Sequence, residues 1–449
     1  MNTQRTELLD TVSRYQIGVI AICVAINIFE AFDLFAMAYA APVLSQAWGL
    51  EPQALGIVLS AVFVGMALGS ALVAPLSDHF GRRTVMCTAL AVLTGAMFLT
   101  ATASTVSQLL VYRVVAGIAI GTILPTVTTT VAEFAPDRHR NLCVGILHVA
   151  APAGGILGGM VALVLMAQYG WTSVFVAGGA VTALVTLLAL ALVPESPEFL
   201  LRQPDGRGLA KLNATLARMG QRPVDADAAS SLLRRPGSVG IRGLFEDNPV
   251  AWTVLLWICF FCVIFGLYFV NTWLPQVIVS AGLPLDRAIY VTVIFNTGGA
   301  IGVFWMGLRS RAKGLRPMLT SFLLSSFALM AVFGFMPLNV TLLSVLAFFA
   351  GIFINGSFVA LYIAAVRLYD ARSRSSGVGW GIGIGRVGAI LSPTVAGLLI
   401  ALGLSRGLNF LIYATPFLVA AIAIAALKSP RLSARRNSEP SQPSEEPAS

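Results

Sequence analysis

Long apolar stretches and short polar gaps alternate along most of the chain. Twelve of these stretches approach or exceed the roughly 20 apolar residues that a helix needs to cross a bilayer. A longer polar segment, from Pro194 to about Asn248, separates the first six from the last six. The pattern predicts an all-α membrane protein with twelve transmembrane helices at about residues 17–43, 53–76, 84–103, 106–131, 141–167, 171–193, 250–274, 287–309, 317–336, 339–366, 376–402 and 407–427.

The same pattern divides the chain into four regions. We expect an N-terminal six-helix bundle over residues 1–193, a cytoplasmic central loop over 194–249 and a C-terminal six-helix bundle over 250–428. Residues 429–449 are rich in Ser, Pro and Glu, which predicts a disordered cytoplasmic tail. Two groups of six helices form a weak two-fold repeat, an organisation found in many transporters.

Composition supports a membrane location and argues against other classes. Of the 449 residues, 57% are hydrophobic and 11% charged, whereas soluble domains have about 25% charged residues. The net charge of +9 does not indicate a nucleic acid partner, because the basic residues cluster in the gaps between apolar stretches.

The sequence also gives no sign of a cofactor. All five cysteines fall in apolar segments, and Cys259-x-x-Cys262 lacks a second ligand pair, so we expect small buried side chains and no metal. There is no phosphate-binding Gly-rich loop followed by Lys-Ser/Thr, so ATP hydrolysis is not expected. We therefore expect neither a cofactor nor an enzyme activity.

The distribution of Lys and Arg predicts the orientation in the membrane. Basic residues accumulate in the gaps on one side, whereas Arg287 and Arg406 are the only basic residues in the gaps on the other side. Because basic loops remain in the cytoplasm, both termini are predicted to be cytoplasmic.

Two carboxylates interrupt the first apolar stretch. Glu30 and Asp33 lie near its middle, where inserting a charged carboxylate costs on the order of 2.5–3.5 kcal/mol. At a spacing of three residues they share a helix face, with Cβ atoms about 5–6 Å apart. Like charges this close resist joint ionisation, so we expect one carboxyl to carry a proton at neutral pH.

Arg113 is an isolated basic residue about seven residues into the fourth apolar stretch. An arginine inside a membrane span usually faces a cavity or a carboxylate. The alternative is that Arg113 extends to the nearby membrane surface.

The gap between the second and third stretches contains a distinctive motif, Gly69-Ser-Ala-Leu-Val-Ala-Pro-Leu-Ser-Asp78-His-Phe-Gly81-Arg82-Arg83. We expect Gly81 to make the turn and Asp78 to pair with a basic residue at a cytoplasmic gate. A simple positive loop would explain Arg82 and Arg83 but not the placement of Gly and Asp. Glu133 ends the fourth stretch on the same side and is also predicted to act in gating.

The eleventh stretch begins with Arg374 and contains the glycine-rich run Gly377-Val-Gly-Trp380-Gly-Ile-Gly-Ile-Gly-Arg386. Twelve helical residues rise about 18 Å, which places Arg386 near the midplane of a core about 30 Å thick. A guanidinium suits bidentate binding of a carboxylate, and Trp380 offers an aromatic surface. Alternatively, Arg386 only neutralises Glu30 or Asp33. Arg374 is expected at the cytoplasmic gate.

Several uncharged polar residues in the second half are further candidates for a substrate cavity. Helices in membranes also use such residues for packing bonds and interface anchoring. The candidates are Tyr268, Asn271, Asn296, Asn355 and Tyr362.

Together these motifs resemble the aromatic acid:proton symporter family of the major facilitator superfamily. The motif ending in Arg82-Arg83 is similar to the superfamily's loop signature. Glu30-Ala-Phe-Asp33 resembles the family's acidic first-helix signature, although Glu30 stands where Asp is common, and the run from Arg374 to Gly388 resembles its eleventh-helix signature.

The resemblance implies the major facilitator fold, with two pseudo-symmetric six-helix bundles and a monomeric functional unit. It implies import of a benzoate-like, hydroxylated aromatic or phenylpropanoid acid across a bacterial inner membrane by proton symport. Asp33, with Glu30 and Arg113, would handle the proton, and Arg386 would bind the carboxylate.

Other functions remain open from sequence alone. The fifth stretch contains the glycine-rich run Ala151-Pro-Ala-Gly-Gly155, whose small residues favour close helix packing. Its loose resemblance to the signature of proton-driven antiporters keeps open a proton-driven exporter of drugs or organic acids. Pro194-Glu-Ser-Pro197 leaves sugar import possible, and a non-transporting membrane sensor is a further alternative.

Overall fold

The computed structural model describes residues 13–136, 138–202, 206–221, 223–225, 244–245, 249–309, 314–370 and 373–427. The predicted tail at 429–449 and part of the central loop, including residues 226–243, lie outside these residues. Within them, twelve helices are long and apolar enough to cross a membrane, which confirms the predicted fold class.

The long helices, numbered α1 to α12, agree with the predicted stretches but extend further at many ends. Polar residues cap several of these ends. The Ser13 side chain and Gln16, for example, form a reciprocal capping box at the start of α1. The helices are Arg14–Trp48, Pro52–Leu68, Arg82–Ala101, Val106–Phe134, Arg140–Tyr169, Thr172–Leu192, Val250–Ser280, Leu285–Arg309, Leu315–Phe335, Val340–Leu368, Arg374–Ala401 and Arg406–Ala426.

The end of α2 is irregular and positions the loop motif. A π-helical turn at Gly69–Val73 and a 3₁₀ turn at Ala74–Leu76 lead into a short helix, Ser77–Phe80. The turn into α3 is made by Gly81 at φ +93°, in the region that favours glycine. This turn leaves the Asp78 carboxylate 3.8 Å from the Arg82 guanidinium.

The helices form two groups, α1–α6 and α7–α12, called here the first and second halves. The central loop contributes two further short helices, Pro197–Leu201 and Gly206–Arg218. Among the described residues, the most extensive contacts between the halves are made by α1 with α7, α2 with α11, and α5 with α8. The midplane residues of these pairs therefore come from both halves.

We call the end of the molecule with the turns at Gly49, Gly170 and Gly403 the outer end, and the opposite end, with Gly81, the inner end. Close contacts between the middle of the helices and the outer end form what we call the outer seam, at Gly56, Ser60, Gly155, Gly159 and Gly397. The Ser60 hydroxyl donates to the Ile390 carbonyl oxygen at 2.8 Å. A Cβ on Gly56 would lie 2.6 Å from the Pro393 carbonyl oxygen.

The inner part of α11 is packed more loosely. A Cβ on Gly379 or Gly383 would meet nothing within 4 Å. The Gly155 region in α5 is instead tightly packed, since a Cβ there would lie 2.7 Å from the Asn296 amide. This glycine segment therefore acts in helix packing, as small residues between membrane helices commonly do. That is the alternative to interpreting it as an exporter signature.

Candidate functional site

The two carboxylates of α1 are buried at the centre of the molecule. Asp33 is fully buried and Glu30 is 5% exposed. They share a helix face, as their spacing predicts, but they differ in their partners. That difference defines the chemistry of the site.

Asp33 forms a buried ion pair with Arg113 of α4. Nη1 of Arg113 lies 2.9 Å from each carboxylate oxygen, and Nη2 lies 3.4 Å from the Asp33 carbonyl oxygen. Arg113 is also fully buried, with its guanidinium 5.7 Å from the centre of the Phe175 ring. Arg113 therefore faces a carboxylate and does not extend to the membrane surface.

Glu30 faces the other half of the molecule. It interacts electrostatically with Arg386 of α11 and with Asp33, and its Oε2 atom is buried without a hydrogen-bond partner. Arg386 also interacts with Tyr268 of α7. One carboxylate from the first half and one guanidinium from the second half thus oppose each other at the interface.

Tyr268 belongs to a pair of aromatic rings that joins the halves. Its ring centre lies 4.6 Å from that of Phe63 in α2, at an angle of 70°, an edge-to-face arrangement that aromatic rings favour. Phe63 is one turn from Ser60, which belongs to the outer seam. The two rings therefore lie between that seam and Arg386.

The other uncharged candidates occupy different places. Asn296 lies in the outer seam against Gly155, whose carbonyl oxygen accepts a hydrogen bond from Tyr39 at 2.7 Å. Asn355 packs against Gly299 within the second half. Asn271 has a buried side-chain oxygen without a partner, and Tyr362 is half-buried.

Trp380 lies nearer the inner end of α11 than Arg386 does. Its ring centre is 6.1 Å from that of Trp257 in α7, and the side chain is 46% exposed. Six residues separate Trp380 from Arg386, a rotation of about 240° around a helix. The two side chains therefore leave α11 in different directions, and the structure does not bring them together.

Charged side chains gather at the inner end of the first half. We call this group the inner cluster: Asp78, Arg82, Glu133, Glu195, Ser196 and Glu198. Arg82 forms an ion pair with Glu133 and has further carboxylates at 3.8 Å (Asp78) and 3.7 Å (Glu198). Glu195 accepts from the backbone N–H of Arg83 at 3.0 Å.

The predicted gating residues are thus mostly brought together. A Cβ on Gly81 would collide with the Glu195 carboxylate, so the turn and the inner cluster depend on each other. The side chain of Arg374 is exposed at the start of α11. Among the described residues, no group of three His, Cys, Asp or Glu is placed to hold a metal ion.

Comparison with known proteins identifies the family. A model of the Major Facilitator Superfamily matches residues 23–338, well over half of the chain. The chain belongs to the major facilitator superfamily.

Relatives within this superfamily carry names of aromatic acid transporters. The gallate transporter of Pseudomonas putida is 33% identical over 428 residues, which are 94% of each chain. The 4-hydroxybenzoate transporter of the same organism is 32% identical, over 87% of this chain and 88% of the relative. The resemblance to the aromatic acid transporters of the superfamily, inferred from the motifs, is confirmed.

Solved structures confirm the fold. The inward-open xylose transporter XylE of E. coli has a TM-score of 0.73 at 16% identity, over 92% of this chain and 96% of that one. A bacterial homologue of the lysosomal transporter Spinster, in an inward-facing conformation, has a TM-score of 0.72. As a superfamily member the chain is a transporter and not an enzyme.

Sequence reasoning missed several contributors to this superfamily member's site. Glu195 and Glu198 follow α6 and are more than 110 residues from Arg82 along the chain. The only sequence signal for their contact with Arg82 was that acidic residues at the inner end need basic partners, which the loop motif supplies. Phe63 gave no signal, because one phenylalanine in an apolar helix is unremarkable in sequence.

Proposed function

We propose that this protein imports a small aromatic carboxylate, such as benzoate, a hydroxybenzoate or a phenylpropanoid-like acid, together with a proton. The observation that carries the proposal is Arg386, a midplane guanidinium that faces Glu30 across the interface between the halves. The names of the relatives support the aromatic acid, and the buried carboxylates support the proton.

The site has the groups that binding an aromatic anion requires. A guanidinium can hold a carboxylate through two parallel hydrogen bonds, and the Phe63–Tyr268 pair offers apolar ring surface beside it. A neutral sugar has no negative charge to pair with the Arg386 guanidinium. Of the other candidates, Asn271, Asn355 and Tyr362 are proposed to line the cavity, Asn296 its outer boundary and Trp380 the path toward the inner end.

The arrangement of the halves supports transport by alternating access. The outer seam closes the site from one side, and we propose that the halves rock about the midplane so that the seam opens. The inner cluster then supplies the opposing gate. The cluster as defined has four carboxylates and one cation, Arg82, so it carries excess negative charge, and we propose that Arg374 of the second half meets it when the inner end closes.

The chain is a multi-pass membrane protein. We propose that it lies in a bacterial inner membrane with both termini in the cytoplasm, since basic loops concentrate at the inner end. One chain suffices as the functional unit, because both sides of the site come from the same polypeptide.

Uptake measurements test the function. In cells that lack aromatic acid uptake, we expect radiolabelled 4-hydroxybenzoate, gallate or benzoate to accumulate when the protein is produced, and a protonophore to abolish accumulation. Labelled xylose is the control for a sugar substrate. Accumulation of xylose alone, or net export of the aromatic acids, would contradict the proposal.

A further inference from the structure

The two carboxylates of α1 have different surroundings, and this difference assigns them different tasks. From the sequence, Asp33 is the expected proton carrier and Glu30 its assistant. Resting on the function proposed above, we infer that Glu30 carries the proton and competes with the substrate carboxylate for Arg386, so that each transport step moves one proton, one carboxylate and no net charge.

The Asp33 carboxylate is held in place by Arg113. Both of its carboxylate oxygens lie 2.9 Å from Nη1 of Arg113, so a proton on either oxygen would displace a charged hydrogen bond. Both residues belong to the first half, which moves as a unit in alternating access. The pair therefore stays intact through the cycle and positions α1 against α4.

Glu30 has the opposite properties. It is only 5% exposed, its Oε2 atom has no hydrogen-bond partner, and its cationic neighbour is on the other half. The groups that act on it are Arg386, Asp33 and, through the site they share, Tyr268. An unpaired carboxylate oxygen in a buried site is well suited to accept a proton.

The charges inside the membrane support competition. Away from the helix ends the sequence has two carboxylic acids, Glu30 and Asp33, and two arginines, Arg113 and Arg386. The empty site is therefore neutral. A bound carboxylate adds one negative charge, and a proton on Glu30 restores neutrality and releases Arg386 to hold the substrate.

The variant Glu30→Gln tests the assignment because glutamine imitates the protonated carboxyl. In proteoliposomes with radiolabelled 4-hydroxybenzoate, we expect exchange between internal and external substrate to persist. Accumulation driven by an acidic exterior should fall to a ratio of about 1, whereas one pH unit supports up to about tenfold for one proton. Glu51→Gln, at the exposed start of α2, is the matched control. Undiminished accumulation by Glu30→Gln would overturn the inference.

A double variant separates the two carboxylates. Asp33→Asn alone leaves Arg113 buried without its partner and should lose both exchange and accumulation. Asp33→Asn with Arg113→Gln replaces the pair by two neutral amides, and we expect both activities to return. Exchange without accumulation in the double variant would assign the proton to Asp33, and loss of both activities in a folded double variant would refute the neutral-pair role.

Membrane potential tests the charge balance. A pH gradient should drive accumulation, whereas a potassium diffusion potential set with valinomycin at equal pH should not. Accumulation driven by the potential would overturn one-to-one coupling.

If Glu30→Gln cannot be purified folded, Glu30→Asp, which keeps a titratable group, should retain proton-driven accumulation. Failure of the wild-type protein to transport any aromatic acid would instead refute the proposed function.

Discussion

The two halves of the molecule carry their charges differently. The first half has three charged residues away from its helix ends, and two of them, Asp33 and Arg113, neutralise each other. The second half has one, Arg386. Each half is therefore left with one net charge at the midplane, negative in the first and positive in the second.

In the proposed mechanism, this difference links alternating access to binding. A pair within one half is unchanged when the halves rock, whereas the opposition of Glu30 and Arg386 spans the moving interface. Any anion or proton at that interface acts on the contact between the halves. Substrate and proton can then bias the same conformational equilibrium.

The largest expected effect comes from removing the charge of the second half. Arg386→Gln leaves the substrate carboxylate without its cation, and truncating one partner of a buried, hydrogen-bonded charge pair costs about 2–5 kcal/mol. We expect apparent affinity for 4-hydroxybenzoate to fall by at least about 30-fold. Substrate-dependent thermal stabilisation of the purified protein measures it.

Arg386→Lys refines this result, since lysine keeps the charge but loses the planar fork. A loss of roughly tenfold in affinity is expected if two hydrogen bonds hold the carboxylate. Arg309→Lys, exposed at the end of α8, is the control. Wild-type affinity in Arg386→Lys would show that only the charge matters.

The second expected effect concerns the outer seam. Gly56→Ala places a methyl group 2.6 Å from the Pro393 carbonyl oxygen, and overpacking of this kind costs about 1–3 kcal/mol. Because the contact joins α2 to α11, the cost applies only while the seam is closed. We expect the equilibrium constant between the two conformations to shift by about 5- to 150-fold toward the outward-open form.

Labelling at the inner end measures this shift. The reporter is Gly145→Cys in a Cys143→Ser background, at a position where a Cβ would meet nothing within 4 Å. It should react more slowly with a maleimide when Gly56→Ala is added. Gly95→Ala, also in open space, is the control. Unchanged labelling would mean that the seam does not determine the conformation.

The inner cluster should give a smaller effect that falls on turnover. Arg82→Gln removes the cation that faces Glu133, Asp78 and Glu198, and hydrogen bonds to charged groups contribute about 1.5–3 kcal/mol. We expect the maximal uptake rate to fall by about 10- to 100-fold with little change in KM. Arg138→Gln, exposed in the next loop at the same end, is the control. A change in KM alone would place Arg82 in binding and not in gating.

Much of this arrangement could be predicted from the sequence, for physical reasons that are specific to membranes. A charged residue inside an apolar stretch is costly, so the amino-acid sequence alone is enough to single out Glu30, Asp33, Arg113 and Arg386. The same cost confines most charged residues to the gaps between apolar stretches, so the number of helices can be counted from those stretches.

The pairing of these residues could not be predicted. Which of two carboxylates meets Arg113 depends on the rotation and depth of α1 relative to α4, and an apolar helix has little periodicity to fix either. The contact of Glu195 and Glu198 with the loop motif likewise depends on packing between distant segments. By contrast, the different directions of Trp380 and Arg386 follow from their spacing along one helix.

The smallest effect is expected at Asp78, although the loop motif makes it conspicuous in sequence. Its side chain is 52% exposed and lies 3.8 Å from Arg82, and exposed ion pairs contribute about 0–1 kcal/mol. If its only role is this pair, Asp78→Asn should slow uptake by no more than about fivefold and leave KM unchanged. Asp286→Asn, exposed at the outer end, is the control. A loss as large as that of Arg82→Gln would show that Asp78 acts in another conformation, through a partner in the second half, because the pair seen here is too weak to account for it.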